Sequence, residues 1–214
     1  MIVLARLLLA LLLAAPGTIR GKITIKKKDG SDKKDYSEVV VYVADVEQPA
    51  SAHAEVLQKE RTFIPRVIAV AAGTSVAFPN EDGIEHNVFS HSQNADFDLG
   101  RFGKGAGKPY KFDKVGVAEI FCNIHKNMVA YVVVAPSKLV AVTGADGSFE
   151  IAGVPPGKHK VTIWERFAKP KFQEVTIDVP AGGVAKLSHP ITEAIEADPP
   201  HKNKFGTEYP TTYK

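Results

Sequence analysis

Short runs of β-branched and aromatic residues recur along this chain, and turn-forming residues separate them. Gly, Pro, Asn and Asp supply the turns, as in Pro79-Asn80-Glu81-Asp82-Gly83. Helical periodicity is nearly absent after the first residues. Many short strands joined by turns are typical of all-β sandwiches. We therefore predict an all-β fold with strands at Gly21–Ile25, Glu38–Ala44, Arg66–Ala71, Ser75–Phe78, His86–Phe89, Tyr110–Phe112, Ala118–Phe121, Val129–Val134, Leu139–Thr143, Ser148–Ile151, Lys160–Trp164 and Glu174–Val179.

Two of these runs are apolar without interruption, namely Val39-Val40-Val41 and Val132-Val133-Val134. A strand with one face in water alternates between apolar and polar residues. Because these two runs do not alternate, we predict that both strands are buried on both faces.

The first residues have the layout of a secretory signal. Met1–Arg6 carries one positive charge, Leu7–Ala15 contains only Leu and Ala, and Gly17 offers a small residue for cleavage. The apolar stretch is too short to span a membrane. We predict that residues 1–17 are a signal peptide and expect a periplasmic or secreted protein. An uncleaved segment would instead anchor the protein to a membrane.

Charge argues against one class of partner. The formal net charge is +3 at pH 7, which is only mildly basic. No cluster of Lys or Arg is interleaved with aromatic residues as a base-stacking surface requires. We therefore expect no nucleic-acid partner.

The segment F-C-N-I-H-K-N-M-V (residues 121–129) carries the chemistry of this chain. Cys122, His125 and Met128 stand at three-residue intervals, and Cys122 is the only cysteine. In an oxidising compartment such a cysteine is a buried inert thiol, an intermolecular disulfide partner or a metal ligand. A thiolate, an imidazole and a thioether on one loop form a soft ligand set that suits copper.

A second imidazole is available upstream. His86 follows the Asp82-Gly83 turn and begins an apolar strand. The chain between His86 and Cys122 is long enough to run along a sandwich and return to the same end. A Cys/His/His set with a weak axial Met is the arrangement of electron-transfer blue-copper sites.

Residues from about 52 to 135 resemble a cupredoxin of the plastocyanin and amicyanin type. The matching segments are F-I-P-R-V-I-A-V-A-A-G-T-S-V-A-F-P-N-E-D (63–82), H-N-V (86–88) and F-C-x-x-H-x-x-M (121–128). The resemblance implies a Greek-key sandwich with one mononuclear type-1 copper site whose ligands are His86, Cys122, His125 and, axially, Met128. It also implies that the amide of Asn87 steadies the cysteine sulfur and ties the two ligand loops together.

The ligand spacing resembles that of amicyanin, with one departure. Amicyanin-like loops usually carry proline on either side of the histidine, where this chain has Ile124 and Lys126. The proline-free loop raises the question of what keeps these ligands in place.

The resemblance implies a one-electron carrier between redox partners, and the predicted signal peptide implies export. We expect no enzymatic activity, because a multicopper oxidase or nitrite reductase would need further histidine clusters, commonly His-x-His pairs, and this sequence has none. Two alternatives stay open. One is a copper-binding or copper-handling protein without electron transfer, and the other is a structural module with an incidental metal site.

Lysines near the ligand loop suggest how a redox partner docks. Lys126 adjoins His125, the histidine that the resemblance implies is the electron port, and Lys104, Lys108 and Lys111 precede the last ligand strand. Such charges would steer an acidic partner surface toward the site. The alternative is that they are ordinary solvated lysines.

A second domain is indicated by A-V-T-G-A-D-G-S-F-E-I-A-G-V-P-P-G-K-H-K-V-T-I (141–163). This segment resembles the carboxypeptidase-regulatory, transthyretin-like sandwich. The first strands of that family have counterparts far upstream, in T-I-R-G-K-I-T-I (18–25) and V-V-V-Y-V (39–43). We infer a discontinuous sandwich formed by residues 18–46 and 137–194, with a cupredoxin of residues 47–136 inserted in it.

The competing interpretation makes the N-terminal strands an extension of the cupredoxin. Residues 195–214 are polar and contain proline and glycine, so we predict an extended strap or a disordered tail.

Overall fold

The computed structural model describes residues 14–209, and the fold in that range is all-β, as predicted. Most of the predicted signal peptide and residues 210–214 of the predicted tail lie outside the described residues. The strands are β1 (Gly17–Lys26), β2 (Val40–Val43), β3 (His53–Glu55), β4 (Leu57–Lys59), β5 (Thr62–Ile64), β6 (Val67–Ala71), β7 (Thr74–Ala77), β8 (His86–Ser92), β9 (Ala95–Phe102), β10 (Pro109–Phe112), β11 (Gly116–Phe121), β12 (Val129–Ala135), β13 (Val140–Val142), β14 (Ser148–Val154), β15 (Gly157–Trp164), β16 (Phe172–Val179) and β17 (Val184–Thr192). None of the residues in this range forms a helix that is long and apolar enough to cross a membrane.

The predicted strands all overlap observed ones, but five strands were not predicted. Three of them, β3, β4 and β5, have only three residues each, too few for a periodic pattern. In β9 the apolar positions Ala95, Phe97 and Leu99 alternate with aspartates, but Gly100 and Arg101 break this alternation. In β17 the apolar positions are interrupted by His189 and Pro190. Pro190 is tolerated there because β17 is an edge strand.

The middle of the chain forms two sheets packed face to face. One has the order β6-β12-β11-β8-β9 and the other β10-β7-β3, while β4 and β5 form a separate hairpin. In the larger sheet β12 is parallel to β6 and antiparallel to β11. Large buried side chains from both sheets fill the space between them, including Val76, Phe112, Val88, Ile120 and Val132.

Strands from the first and last parts of the chain share a second pair of sheets. One has the order β14-β1-β17, with β1 antiparallel to β14 and parallel to β17. The other has the order β13-β2-β15-β16. Their common core includes Ile19, Val41, Phe149 and Ile163. The domain boundaries given above and the carboxypeptidase-regulatory assignment stay predictions.

Strand β12 lies between the two cores. Its side chains at Ala130, Val132 and Val134 point into the central sandwich. The alternate side chains, including Tyr131 and Val133, pack against β2 and Trp164 of the second pair of sheets. All residues of β2 and β12 are buried, which confirms the prediction that the two valine runs are covered on both faces.

The glycine-rich segment between β9 and β10 contains one close backbone approach. Gly107 has a φ of +71°, and a Cβ atom there would lie 2.0 Å from the Phe78 carbonyl oxygen. The adjacent Lys108 carbonyl accepts a hydrogen bond from the Phe78 N–H (3.3 Å). Glycine is therefore required where this loop joins β10 to the end of β7.

We expect Gly107→Ala to lower the free energy of unfolding by roughly 2 kcal/mol or more, because it combines a left-handed backbone with a clash against a backbone oxygen. Chemical denaturation of both proteins measures the difference. Gly103→Ala is the matched control, since a Cβ atom there meets nothing within 4 Å. Equal losses from both substitutions would contradict this account.

Candidate metal centre

Two loops bring the predicted ligands to the same end of the five-stranded sheet. His86 is the first residue of β8, Cys122 directly follows β11, and Met128 directly precedes β12. Because β11 is antiparallel to both β8 and β12, its end lies beside their beginnings. The return from Cys122 to Met128 is closed by two backbone hydrogen bonds, Cys122 N–H to Met128 O (3.2 Å) and Met128 N–H to His125 O (3.0 Å).

His86, Cys122 and His125 form a compact cluster. The Nδ1 atoms of His86 and His125 lie 3.0 Å apart, and Cys122 Sγ lies 3.7 Å from His125 Nδ1. One ligand atom from each of the three residues lies within 4.8 Å of the others. In the part of the chain that the structure describes, no other group of three His, Cys, Asp or Glu residues has this property.

The orientation of His86 is fixed by Asp82. The distance from His86 Nε2 to Asp82 Oδ2 is 2.7 Å. A carboxylate only accepts hydrogen bonds, so Nε2 carries the proton. In neutral His86 this leaves the Nδ1 lone pair directed at His125 Nδ1. That lone pair can accept a hydrogen bond from His125 Nδ1–H or bind a metal ion, and a ligating histidine commonly hydrogen-bonds a carboxylate through its other nitrogen. The geometry therefore fits a metal ligand.

The cluster is largely closed to solvent. His86, Cys122 and Met128 are each 0% exposed, whereas His125 is partly exposed. Met128 and Cys122 belong to the core of the central sandwich, together with the neighbouring Ile124. Three of the predicted ligands are thus held by close packing, and one reaches the surface.

Local hydrogen bonds favour the thiolate form of Cys122. Burial raises the pKa of this thiol, but a hydrogen bond that protonated His86 donates, and those from the backbone N–H groups of Asn87, Ile124 and His125, outweigh it and lower the pKa. The thiolate is the form of cysteine that binds metals.

The two histidines shift in opposite directions. Burial lowers the pKa of His86, but its contacts with Cys122 and Asp82 outweigh burial and raise it. Burial lowers the pKa of His125, and the nearby charges of His86 and Arg61 add to this effect. His125 is therefore held in the neutral form that metal binding requires.

Asn87 joins the two ligand loops. Its Oδ1 accepts a hydrogen bond from the Asn123 N–H (3.3 Å), and its Nδ2 donates to Asp98 Oδ1 (2.6 Å). The group of Asn87 that acts on the Cys122 sulfur is the backbone N–H, because the side-chain amide is used by Asp98 and Asn123.

Asp82 is a site residue that the sequence did not reveal. Besides His86, its carboxylate accepts hydrogen bonds from the N–H groups of Glu60 (2.7 Å) and Arg61 (3.0 Å). Glu60 and Arg61 form the two-residue loop between β4 and β5, with φ values of 52° and 56°. Such a loop normally contains Asn or Gly. Asp82 therefore stabilises an unfavourable turn and orients a predicted ligand at the same time.

The cationic surroundings of His125 differ in part from those predicted. A cleft of about 450 Å³ beside His125 is lined by Arg61, Arg66 and Lys126, along with Glu60. Neither arginine was singled out from the sequence, because both are distant from the ligand loop along the chain.

The other predicted docking lysines lie between β9 and β10 or within β10. Lys104 is exposed in the loop, and Lys108 Nζ donates to the Leu99 carbonyl oxygen (2.7 Å). Lys111 Nζ forms an ion pair with Asp113 (2.8 Å). The docking role of these lysines stays a prediction.

The comparisons with known proteins found similarity among solved structures but not among family models or curated proteins. No family model and no curated protein matches this chain. A purple cupredoxin from Nitrosopumilus maritimus is 22% identical with a TM-score of 0.35, over 38% of this chain and 99% of that chain. Amicyanin from Paracoccus versutus is 24% identical with a TM-score of 0.35, over 45% and 97%. A copper-containing nitrite reductase from Thermus scotoductus SA-01 is 25% identical with a TM-score of 0.36, over 42% and 24%.

We expect Asp82→Asn to lower the free energy of unfolding of the metal-free protein by about 2 kcal/mol. Hydrogen bonds to a charged group contribute about 1.5–3 kcal/mol each, and an amide oxygen replaces only some of them. Denaturant unfolding measures the loss, and Asp113→Asn is the control because its carboxylate is 60% exposed. A loss no larger than that of the control would show that Asp82 does not hold the turn.

Proposed function

We propose that this protein is a type-1 copper protein that carries single electrons between redox partners. The observation that carries the proposal is the meeting of His86, Cys122 and His125 within 4.8 Å, on loops that also contain the buried Met128. A thiolate, two imidazoles and a thioether are the donors of blue-copper sites.

The protein contributes ligands that are held rigidly and a path for electrons to the surface. A copper ion bound here would supply a one-electron change between Cu(I) and Cu(II). The two oxidation states prefer different geometries, so a carrier needs ligands that move little. His86, Cys122 and Met128 meet this need because they are fully buried and lie at or next to the ends of strands.

His125 is the proposed electron port. It is the partly exposed member of the cluster and faces the cleft that contains Arg61, Arg66 and Lys126. We propose that an acidic surface of a redox partner docks at this cleft, since opposite charges raise association rates.

The location of the protein and its class are also proposals. We propose an exported protein, periplasmic or secreted, on the basis of residues 1–17, and a carrier rather than an enzyme. The burial of three ligands favours a carrier over a copper-handling protein, because a protein that delivers copper needs a site that exchanges the ion readily. A structural module with an incidental metal site would function normally after Cys122→Ala.

Addition of Cu(II) to the purified protein tests the proposal. We expect an intense blue thiolate-to-copper absorption band that Cys122→Ser abolishes and His86→Ala removes or strongly shifts. His53→Ala is the matched control, because His53 is exposed on β3. Absence of the band in the unmodified protein would refute the type-1 assignment, and a band unchanged in His86→Ala would remove that residue from the ligands.

The docking proposal is tested with small redox complexes of opposite charge. At low ionic strength we expect Arg61→Glu to slow oxidation of the reduced protein by anionic ferricyanide by about threefold to tenfold, and to speed oxidation by a cationic cobalt complex. Both effects should shrink as salt is added. Stopped-flow absorbance measures the rates.

Lys186→Glu is the matched control for that experiment. It changes the net charge by the same amount, but Lys186 is exposed on β17 of the second pair of sheets. Equal rate changes in the two variants would indicate a net-charge effect and contradict docking at the cleft.

A further inference from the structure

The described end of the chain lies against the ligand loop. We define residues 198–209 as the strap. Its middle is a compact turn in which Asn203 Oδ1 accepts hydrogen bonds from the N–H groups of Phe205 (2.9 Å) and Thr207 (3.2 Å). The Asn203 N–H donates to the Thr207 carbonyl oxygen (2.9 Å). The strap therefore has an ordered conformation of its own.

The start of the strap is attached to β12 and to Arg66, the residue before β6. Asp198 accepts hydrogen bonds from the Tyr131 hydroxyl (2.6 Å) and from Arg66 (3.2 Å). Burial, together with the Asp198 charge, raises the pKa of Tyr131, so its hydroxyl remains a donor. Arg166, which follows β15, adds a longer contact to Asp198 (3.9 Å). Residues from both parts of the fold thus hold this end.

His201 contacts the ligand loop at two points. Its Nε2–H donates to the carbonyl oxygen of Lys126 (2.7 Å), directly after the predicted ligand His125. Its ring stacks on Phe121, directly before the predicted ligand Cys122, with centroids 4.2 Å apart and planes at 30°. One side chain therefore bridges both ends of the segment that holds these two ligands.

Tyr209 contacts the cysteine itself. Its hydroxyl donates to the carbonyl oxygen of Cys122 (2.8 Å), and its ring packs edge-on against His201.

Lys204 links the strap to the ligand loop and to β9. Its backbone N–H donates to Asn123 Oδ1 (2.9 Å), and its ammonium binds Asp98 Oδ2 (2.6 Å). Asp98 is the residue that accepts a hydrogen bond from the Asn87 side chain. The contacts of the strap therefore extend to the residue adjacent to His86.

We propose that the strap holds the ligand loop in its metal-binding conformation, with His201 and Tyr209 as positioning residues. Proline limits backbone freedom through its ring, and this loop has Ile124 and Lys126 where proline would do so. The strap instead restrains the loop by hydrogen bonds to the Cys122 and Lys126 carbonyls. Only the effect on copper retention rests on the proposed function; the effect on the loop does not.

The test is the double variant His201→Phe/Tyr209→Phe in the full-length protein. It keeps the aromatic packing and removes the two hydrogen bonds to the loop. In the metal-free protein we expect backbone amide exchange of residues 121–128 to become roughly tenfold faster or more, because two restraining hydrogen bonds are lost. In the copper-loaded protein we expect transfer of copper to a chelator to be about tenfold faster.

Phe205→Ala is the matched control. Phe205 is an aromatic residue of the strap that is 73% exposed. The denaturant midpoints of the wild type, the double variant and the control separate a local effect from a loss of overall stability. If the double variant does not fold, the single variant Tyr209→Phe provides the test.

The outcomes separate the two proposals. Exchange and copper transfer that match those of Phe205→Ala would overturn the positioning role. Faster exchange confined to residues 121–128, with an unchanged midpoint, would support it. A wild-type protein that gives no blue band would refute the copper proposal, whereas exchange in the metal-free protein would still decide the role of the strap.

Discussion

The burial of strand β12 on both faces is the constraint on which the rest of the structure depends. One face completes the core of the central sandwich through Val132 and Val134, and the other packs against the second pair of sheets through Tyr131 and Val133. Each fully buried valine contributes about 1.5–3 kcal/mol. Met128 directly precedes this strand, so one end of the ligand loop is attached to a strand in which every residue is buried. The position of the candidate metal centre is thus tied to the packing between the central sandwich and the second pair of sheets.

Hydrogen bonds offset the cost of placing polar ligands in that interior. A buried imidazole or thiolate without partners would be strongly unfavourable. Asp82 accepts a hydrogen bond from His86 Nε2, and backbone N–H groups donate hydrogen bonds to the Cys122 sulfur. These groups come from the loop before β8, from β8 itself and from the loop between β11 and β12, so the cluster forms only when these three segments are correctly placed. Hydrogen bonds to the sulfur lower the pKa of Cys122, whereas burial and nearby positive charges lower the pKa of His125, and both shifts suit metal binding.

The sequence contains strong local signals and weak long-range ones. The uninterrupted valines of β2 and β12 are a local pattern that was sufficient to predict buried strands. The three-residue spacing of Cys122, His125 and Met128 is also a local pattern, and the ligand role that it indicates stays a prediction. Asp82 gave only a turn signal, because its contact with the Glu60-Arg61 loop joins residues that are distant in the sequence. Strand β17 was missed because His189 and Pro190 interrupt its alternation. The contacts of the strap depend on where a polar segment lies in three dimensions, which composition does not specify.

The pairing of β1 with β17 has a consequence for the order of assembly during synthesis. Strands β3 to β12 are contiguous, so the central sandwich has all of its strands before β13 is made. β1 leaves the ribosome first, yet both of its sheet neighbours, β14 and β17, are among the last strands to appear. Contacts between distant segments form slowly because long loops must close first. We therefore expect β1 to wait unpaired, and the hydrogen bonds of residues 201–209 to the ligand loop to be among the last native contacts formed.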